Sequence, residues 1–490
     1  MNSLESRRRL LKALMYGSTF TSSAALLSAC GGGGGGSPAA GSSPAPVSPS
    51  ASAPATPAFR RGGVGRFAKV GPLQPPNAQG VMVPAGFSAR VVAQSGQPLG
   101  ASGLPFHVFP DGGGVMPAAD GSGDYFYLSN SEVPGAGSAG FTVSGLAGVT
   151  NTLPPFVPGL GGTGAIRFGR DGQVKDHYPI LGGTTFNCAG VVTPWGTFLS
   201  CEEYPQGRVW EVDPRVPLRS TAQGAATNLV QGVLSGAAPL PSALSGSAVA
   251  RPTLGVFSHE AVAIDAVRKR LYLTEDMPDG RLYRWLPADS DWRGDRPALQ
   301  AGTLQVMAVQ GPVEAALKGP VPFKWLDALN PTQPQDANRH PDSTVFVGGE
   351  GIWYRQGLVF FTTKGDDRVW QVDDVAGTVT CIYDRATAQG PNDFLSGVDN
   401  ITMTEEGDLL VAEDGGNMQV VVIQPDGSLV ELLRIVDNND QAGSYSEIAG
   451  LAFSPDRQRL YFTSDRGGMG PTGHTPGLGL VYELVIPPGV

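Results

Sequence analysis

The sequence is poor in the residue types and motifs by which many enzymes are recognised. It has 4 cysteines and 5 histidines among 490 residues. It contains no Gly-x-Ser-x-Gly nucleophile elbow, no phosphate-binding Gly-x-x-x-x-Gly-Lys loop and no His-Glu-x-x-His motif. These absences argue against a serine hydrolase of the elbow type, a P-loop enzyme and a histidine-rich zinc site.

Charge is also scarce and unbalanced. Charged residues make up 16% of the chain and hydrophobic residues 41%, and the formal net charge is −10. So acidic a protein should repel nucleic acid and anionic membranes, and we expect neither as a partner. The 69 glycines and 42 prolines follow no collagen period. Turns must therefore be frequent, which is typical of a many-stranded all-β protein.

The N-terminal segment has the composition of an export signal rather than of a folded domain. Residues 6–12 read Ser-Arg-Arg-Arg-Leu-Leu-Lys, which fits the twin-arginine pattern, and an apolar stretch follows from Ala13. Leu-Ser-Ala-Cys at 27–30 resembles a bacterial lipobox, with an ordinary signal peptide and a chance cysteine as the alternative. We expect a signal peptide over 1–29, a lipid on Cys30 and a disordered Gly/Ser/Pro linker over 30–60.

These features predict a monomeric periplasmic or cell-surface lipoprotein, held at a membrane only by the lipid on Cys30. Removing the leader, which carries four basic residues and one acidic residue, leaves a net charge of −13. The twin-arginine route carries folded proteins and is often used when a cofactor is inserted before export, so it points to a metal centre. An anionic substrate would have to be attracted by something other than the bulk charge.

Six segments share one pattern, in which an apolar strand ends in a small polar residue and an acidic or polar pair. They are residues 125–130, 197–202, 271–276, 358–363, 409–414 and 460–465. Most are preceded by an apolar strand and followed by another after a polar turn, so each unit is a small antiparallel sheet. Radial stacking of such units predicts an all-β, six-bladed β-propeller as the catalytic domain over 61–490. Strands at 87–92 and 480–484 would close the ring together.

Acidic residues recur where the first strand of each predicted blade begins and where the second ends. The starts carry Asn187-Cys188, His259-Glu260, Glu350, Asp399-Asn400 and Glu447. The ends carry Cys201-Glu202, Glu275-Asp276, Glu413-Asp414 and Asp465. Because the second strand runs antiparallel to the first, both sets should lie at one mouth of the central channel.

Like charges gathered this closely repel one another, and bound cations would resolve the repulsion. Carboxylate and amide oxygens suit calcium, while a cysteine or histidine among them admits a transition metal such as iron. Cys201, beside Glu202, is the better thiolate candidate, and Cys188 is expected in the channel wall. A Cys188–Cys201 disulfide is the alternative use of these two residues, and His259 is as well explained by a structural role.

Three stretches together resemble the PhoX-type bacterial alkaline phosphatases. They are Asn-Cys-Ala-Gly at 187–190, Thr-Pro-Trp-Gly-Thr at 193–197 and Cys-Glu-Glu at 201–203, with the later His259-Glu260. The similarity covers roughly residues 65–490. It implies twin-arginine export, a six-bladed propeller and a mixed iron–calcium cluster with a bridging oxo group that hydrolyses phosphomonoesters. It also implies that Cys201 and Glu202 lie at or beside the cluster, with further ligand candidates Glu260, Glu275, Glu350, Asp399 and Glu413.

The expected activity is therefore hydrolysis of small-molecule phosphate esters by metal-ion catalysis. Lys364, Arg368 and Arg281 follow second strands and are candidate phosphate clamps, or else solvated turn residues. Two other functions stay open at this point. A calcium-dependent propeller lactonase would also hold a cation at the mouth, and a non-catalytic lipoprotein could use the propeller as a binding platform.

Overall fold

The structure is a computed structural model. It describes residues 64–133, 161–218, 244–245, 247–390, 394–415, 417–436, 446–467 and 479–490. The predicted signal peptide, lipid site and linker lie outside the described residues. No helix in the described part of the chain is long and apolar enough to cross a lipid bilayer.

The described residues form an all-β fold, with three short 3-10 helices at Pro252–Leu254, Val313–Leu317 and Gln335–Ala337. The strands of the first half of the chain are β1 (Val81–Met82), β2 (Ser88–Gln94), β3 (Pro98–Leu99), β4 (Leu104–Pro105), β5 (Pro110–Pro117), β6 (Tyr125–Ser131), β7 (Gly161–Phe168), β8 (Val174–Thr184), β9 (Asn187–Val192), β10 (Phe198–Glu202), β11 (Val209–Val212), β12 (Leu244–Ser245), β13 (Val249–Ala250), β14 (His259–Asp265), β15 (Arg270–Glu275) and β16 (Leu282–Pro287). Those of the second half are β17 (Trp292–Arg293), β18 (Arg296–Pro297), β19 (Gly302–Val309), β20 (Val321–Asp327), β21 (Gly349–Arg355), β22 (Leu358–Thr363), β23 (Arg368–Asp373), β24 (Thr378–Asp384), β25 (Val398–Met403), β26 (Leu409–Glu413), β27 (Gln419–Ile423), β28 (Leu429–Ile435), β29 (Ile448–Phe453), β30 (Arg459–Ser464) and β31 (Leu480–Val485).

The larger sheets are built from antiparallel hairpins in sequence order. Their strand orders are β12-β8-β7-β6-β5, β13-β11-β10-β9, β14-β15-β16-β19-β20-β24-β23-β22-β21, β1-β28-β27-β26-β25 and β2-β31-β30-β29. In the last sheet the early strand β2 pairs with the late strand β31, as the sequence predicts. This pairing joins an early and a late segment of the described fold within one sheet.

The strands that begin each hairpin pack around a common centre. We call β5, β9, β14, β21, β25 and β29 the first strands, and β6, β10, β15, β22, β26 and β30, which pair with them, the second strands. Each first strand contacts the next one along the chain, and β29 contacts β5. The sheets are therefore arranged in a propeller-like manner around a central channel, as the sequence predicts.

Apolar side chains fill the space between neighbouring sheets. Trp285 and Trp370 are fully buried, and Phe346 meets the rings of Phe361 and Trp370 edge-on. Near the centre, glycines allow close approach: a Cβ on Gly351 would lie 2.8 Å from the carbonyl oxygen of Asp399 on the neighbouring first strand. Adjacent first strands can therefore bring their side chains close together at one end of the channel.

Candidate metal centre

The backbone repeats one hydrogen bond at the end of the channel where the first strands begin. The residue directly after each second strand donates its N–H to a carbonyl just before or at the start of the paired first strand. The bonds are Glu132 to Phe109, Glu203 to Phe186, Asp276 to Ser258, Lys364 to Gly348, Asp414 to Gly397 and Asp465 to Glu447, at 2.7 to 3.2 Å. This repeat brings a side chain from each second-strand end to the same mouth.

A β-bulge lies at the same place in each hairpin. The pairing of β14 with β15, for example, shifts between His259 and Val262, so that Glu260 and Ala261 together face Thr274. Equivalent shifts occur in four of the other five pairs of first and second strands, and the shift between β29 and β30 lies one residue pair further into the hairpin. A bulge re-aims side chains, and here five bulges carry Asp111, Cys188, Glu260, Glu350 and Asp399.

These residues and the second-strand ends form five triplets of candidate ligand groups. Within each triplet, one potential ligand atom per residue lies within 4.8 Å of the others. The triplets are Asp111/Glu132/Cys188, Cys188/Glu203/Glu260, Glu260/Glu350/Asp399, Asp399/Asp414/Glu447 and Glu447/Glu132/Asp465. Each triplet shares one residue with the next, and the last shares Glu132 with the first. The ten residues therefore form a closed circle, which we call the carboxylate ring.

All of the ring residues except Asp414 are buried. Burial first, and then the neighbouring carboxylates, raise the pKa of Asp111, Glu260 and Glu350 well above the ordinary carboxyl value. Burial and the nearby Glu203 likewise raise the pKa of the Cys188 thiol, which donates to Glu203 Oε2 at 2.8 Å. Cations at these four groups would favour their charged forms.

Two cationic side chains contact the ring. Lys364 Nζ lies 2.6 Å from Glu350 Oε1 and 3.2 Å from Asp414 Oδ2. Burial lowers the pKa of Lys364, but these carboxylates outweigh that effect, so the pKa stays above its ordinary value. Arg466 lies 3.3 Å from Glu132 and 3.0 Å from Asp465 through its guanidinium nitrogens. Two positive charges cannot balance nine carboxylates, so the donor set fits additional multivalent cations.

The sequence-predicted site residues divide into two groups in space. Glu260, Glu350 and Asp399 lie together in one triplet of the ring, and Lys364 contacts two of them. None of the triplets found among the described residues contains the other four ligand candidates, Cys201, Glu202, Glu275 and Glu413. The ring uses Cys188 and Glu203 in place of Cys201 and Glu202, and Asp414 in place of Glu413.

Glu202, Glu275 and Glu413 are the last residues of their second strands and point away from the ring. Each accepts the backbone N–H six residues further on, from Arg208, Arg281 and Gln419 respectively. Burial raises the pKa of each of these carboxyl groups to about 7. The reason for the correction is the alternation of side chains along a strand, because a shift of one residue turns a side chain to the opposite face.

Glu202, Glu275 and Glu413, which bind the backbone of turns, should therefore affect the stability of the protein and not metal binding by the ring. Replacing Glu413 by glutamine is expected to lower the free energy of unfolding by about 1–3 kcal/mol, because buried hydrogen bonds to Ser396 and Gln419 are weakened. The adjacent Asp414→Asn variant should instead reduce bound metal. Urea unfolding and elemental analysis of both variants measure the two effects, and metal loss in Glu413→Gln would contradict this assignment.

The remaining candidates serve the fold. Cys201 is fully buried in an apolar cluster with Leu199 and Val209. Cys188 and Cys201 are both free thiols, so they form no disulfide. His259 is also fully buried, with its ring 3.6 Å from that of Phe257.

The two predicted arginine clamps are engaged away from the ring. Arg368 pairs with Asp366 at 2.7 Å and with Asp384 at 3.3 Å. Arg281 donates to Ser343 Oγ at 2.7 Å. Of the three proposed clamps, the structure brings Lys364 alone to the ring.

Several ring residues were missed from the candidate ligands. Asp111, Glu132, Cys188, Glu203, Asp414, Glu447 and Asp465 all lie in it, and Arg466 contacts it. The acidic pairs at the strand ends were the available signal, because one member of each pair must face the channel. Cys188 lies two residues after Phe186, whose carbonyl accepts the N–H of Glu203. Glu260 and Glu350 have the same offset in their hairpins, so this position also indicates a ring residue.

A propeller-like β fold with a buried carboxylate and thiol ring at one mouth defines a metal-binding propeller protein. The sequence model of alkaline phosphatase PhoX matches residues 161–364 and 354–468, which is more than half of the chain. The chain belongs to the PhoX alkaline phosphatase family and is accordingly a metal-dependent phosphatase acting on phosphomonoesters. The resemblance noted in the sequence is thereby confirmed, and it favours the phosphatase over the lactonase and the binding platform.

One solved structure shows the same fold. The chain is similar to "Pseudomonas fluorescens PhoX in complex with vanadate, a transition state analogue", with a TM-score of 0.61 and 16% identity over 84% of this chain and 97% of that one. It is more distantly similar to a gluconolactonase from Xanthomonas campestris, with a TM-score of 0.36 and 12% identity over 85% of this chain and 98% of that one. No curated protein sequence matches the chain.

Proposed function

We propose that the carboxylate ring is the metal centre of this phosphatase and that small phosphate monoesters react there. The observation that carries the proposal is the closure of the ring: ten ligand groups from distant parts of the sequence lie in overlapping triplets. Burial raises the pKa values of Asp111 and Glu260, and multivalent cations would offset the cost of ionising them. Bound cations also reverse the local field, so a protein of net negative charge can accept an anionic ester.

The chain's own residues then have distinct roles. The ring carboxylates and Cys188 would hold the ions, and bound ions would supply Lewis-acid polarisation of the phosphoryl group and activation of an oxygen nucleophile. Lys364 is 20% exposed and the adjacent Asp276 side chain 17%, so the ring is accessible from that side. Lys364 and Arg466 are suited to bind the phosphate oxygens and to neutralise charge that develops on them.

We infer that the ions are iron and calcium. Cys188 supplies a sulfur ligand among carboxylates, and a thiolate favours a transition metal such as iron. The triplets Glu260/Glu350/Asp399 and Asp399/Asp414/Glu447 supply only carboxylate oxygens, which suit calcium. The two parts of the ring therefore differ in the ion that they prefer.

The blade number that we propose is six. Six first strands contact one another in a closed cycle, and six second-strand ends repeat the same backbone hydrogen bond. The nine-stranded sheet would comprise two blades, one containing β14 and the other containing β21. The ring draws residues from all six hairpins, so its closure and the blade number support each other.

Export by the twin-arginine route, lipidation of Cys30 and a monomeric periplasmic or cell-surface enzyme complete the proposal. The support is the sequence of residues 6–12 and 27–30 together with the need to insert metal before export. Labelling with a radioactive fatty acid in a bacterial host should mark the wild-type chain and not the Cys30→Ala variant. Equal labelling of both chains would contradict the lipid anchor.

The function is tested by elemental analysis and turnover on the same purified protein. Iron and calcium should co-purify with the chain, and a chromogenic phosphomonoester should be hydrolysed. A phosphodiester and a lactone serve as controls and should react much more slowly. Calcium without iron would refute the mixed-metal assignment, whereas metal-loaded protein without phosphomonoester turnover would refute the catalytic role of the ring.

A further inference from the structure

Four buried polar side chains on second strands contact the backbone of the carboxylate ring. Each donates a hydrogen bond to a backbone carbonyl on the first strand of the next hairpin, and each acceptor is a ring residue. The bonds run from Asn130 to Cys188 at 2.9 Å, from Thr274 to Glu350 at 2.5 Å, from Thr362 to Asp399 at 2.5 Å and from Thr463 to Asp111 at 3.3 Å. All four donors are fully buried or nearly so.

These donors occupy equivalent positions in the repeat. Each lies two residues before the residue that directly follows its second strand, as Thr274 does relative to Asp276 and Thr362 relative to Lys364. The same position is Cys201 in the hairpin of β9 and β10, and Ala412 in that of β25 and β26. The four bonds therefore recur with the fold and are not isolated contacts.

Two of the six junctions between hairpins lack this bond. By the same repeat, Ala412 would face the carbonyl of Ala449 on β29, and alanine has no donor. Cys201, which precedes the hairpin of Glu260, packs in an apolar cluster instead. Four of the six junctions therefore carry the polar bond.

Thr274 connects two bulges directly. Its Oγ1 accepts the N–H of Ala261, which follows Glu260 in its own hairpin, at 3.1 Å, and donates to the carbonyl of Glu350 in the next hairpin. Glu260 and Glu350 belong to the same triplet of the ring. The hydroxyl thus links two candidate ligands whose strands, β14 and β21, are not paired directly.

The first strands of neighbouring hairpins are not paired directly with each other, as β14 and β21, or β21 and β25, show. Loop hydrogen bonds also join neighbouring hairpins, for example from the N–H of Gly348 to the carbonyl of Met277 at 2.9 Å. The four side-chain bonds differ from these because they end on the backbone of the ring residues. A metal cluster needs its ligands held to within about 0.5 Å by such supporting contacts. Groups that hold ligands in place are known to matter for metal affinity nearly as much as the ligands.

We propose that Asn130, Thr274, Thr362 and Thr463 are positioning residues that set the spacing of the carboxylate ring between sheets. They touch no substrate and act through the backbone of the ligand residues. The proposal rests on the proposed function, since it assumes that the ring binds the metal ions. The four bonds to the backbone of the ring residues would then help to retain the ions and keep the ligand geometry needed for turnover.

The test compares Thr274→Val, Thr362→Val and the double variant with the wild-type chain. Valine keeps the shape of threonine and removes the hydroxyl. Each protein is purified as isolated, dialysed against increasing concentrations of a chelator, and analysed for bound metal. The double variant should lose its metal at a chelator concentration about 10–100-fold lower than the wild type. At saturating metal, kcat should fall more than KM rises, because ligand geometry and not substrate contact is altered.

Two controls separate positioning from general damage. Thr362→Ser restores the hydroxyl and should recover wild-type metal retention. Thr380→Val makes the same substitution at a buried threonine on the outer strand β24 and should leave metal retention unchanged. Thr463→Val tests a third junction, so that the comparison does not depend on the folding of one variant.

The outcomes distinguish failure of the positioning role from failure of the proposed metal-centre function. Folded Thr→Val variants that keep metal as tightly as the wild type would overturn the positioning role while the metal centre stands. Loss of metal in Thr362→Ser as large as in Thr362→Val would also overturn it, because the hydroxyl would then be irrelevant. A wild-type chain that binds no metal would overturn the proposed function itself.

Discussion

Replacing Cys188 by alanine is expected to lower kcat/KM by about 100-fold or more, since loss of supporting groups around a metal already costs about 10–100-fold. Cys188 belongs to two triplets of the ring, so its removal weakens the binding of ions on both sides. Its sulfur is also the softest donor in the ring, and iron should be lost before calcium. Steady-state kinetics with a phosphomonoester and elemental analysis of the purified variant measure both effects.

Cys201→Ala is the matched control. Cys201 is fully buried in the apolar cluster that includes Leu199 and Val209, and alanine there removes one sulfur atom from the packing. We expect destabilisation of about 1 kcal/mol with metal content and kcat/KM close to wild type. Iron loss in Cys201→Ala together with iron retention in Cys188→Ala would restore the assignment that the sequence favoured and refute the one made from the structure.

Removal of metal is expected to abolish turnover and to reverse the pH dependence of stability. Burial and neighbouring carboxylates raise the pKa of Asp111, Glu260 and Glu350 in the folded state above the ordinary values of 3.8 and 4.5. The folded metal-free chain therefore binds protons more tightly than the unfolded chain. The stability that these bound protons contribute is fully present below the ordinary carboxyl pKa. It is lost as the pH rises through the raised pKa values of the folded state. Ion binding requires deprotonated ligands, so the metal-loaded chain should gain stability over the same range.

Thermal unfolding of the two forms checks this expectation. The Tm of the chelated protein should be higher at about pH 6 than at about pH 9. The Tm of the metal-loaded protein should instead be lower at about pH 6 than at about pH 9. Adding the metals back at the alkaline end should restore both Tm and phosphomonoester turnover. A chelated protein whose Tm is the same at both pH values would show that the ring carboxylates are not coupled as the structure indicates.

The correction of the ligand set has one physical origin. Sequence alternation predicts the face of a side chain only while the strand is regular, and each hairpin has a bulge where the first strand begins. The bulge places two first-strand residues opposite a single second-strand residue, which is Cys201, Thr274 or Thr362 in these three hairpins. The residue that faces the channel is then displaced by one position from the one that regular alternation predicts. Glu202 and Glu203, or Glu413 and Asp414, cannot be told apart by pattern alone.

The cationic residues illustrate the same limit. Lys364 stands where the repeat carries acids in the other hairpins, so its position was readable from the alignment of the six segments. Arg466 follows Asp465 and looks like an ordinary turn residue in sequence. Its guanidinium reaches Glu132, which lies 334 positions away along the chain, through the closure of the ring. Only the folded chain brings those two residues together.

The sequence by itself determined the all-β hairpins, the joining of early and late strands in one sheet and the gathering of acidic residues at one mouth. These follow from period-two patterning and from antiparallel pairing, which act over about 15 residues. The tertiary structure alone decided that Cys188 and not Cys201 faces the ring, and that the strand-end glutamates bind turns. Those outcomes depend on the bulges and on the packing of sheets against each other. A displacement of one residue at a bulge turns a side chain to the opposite face of the strand.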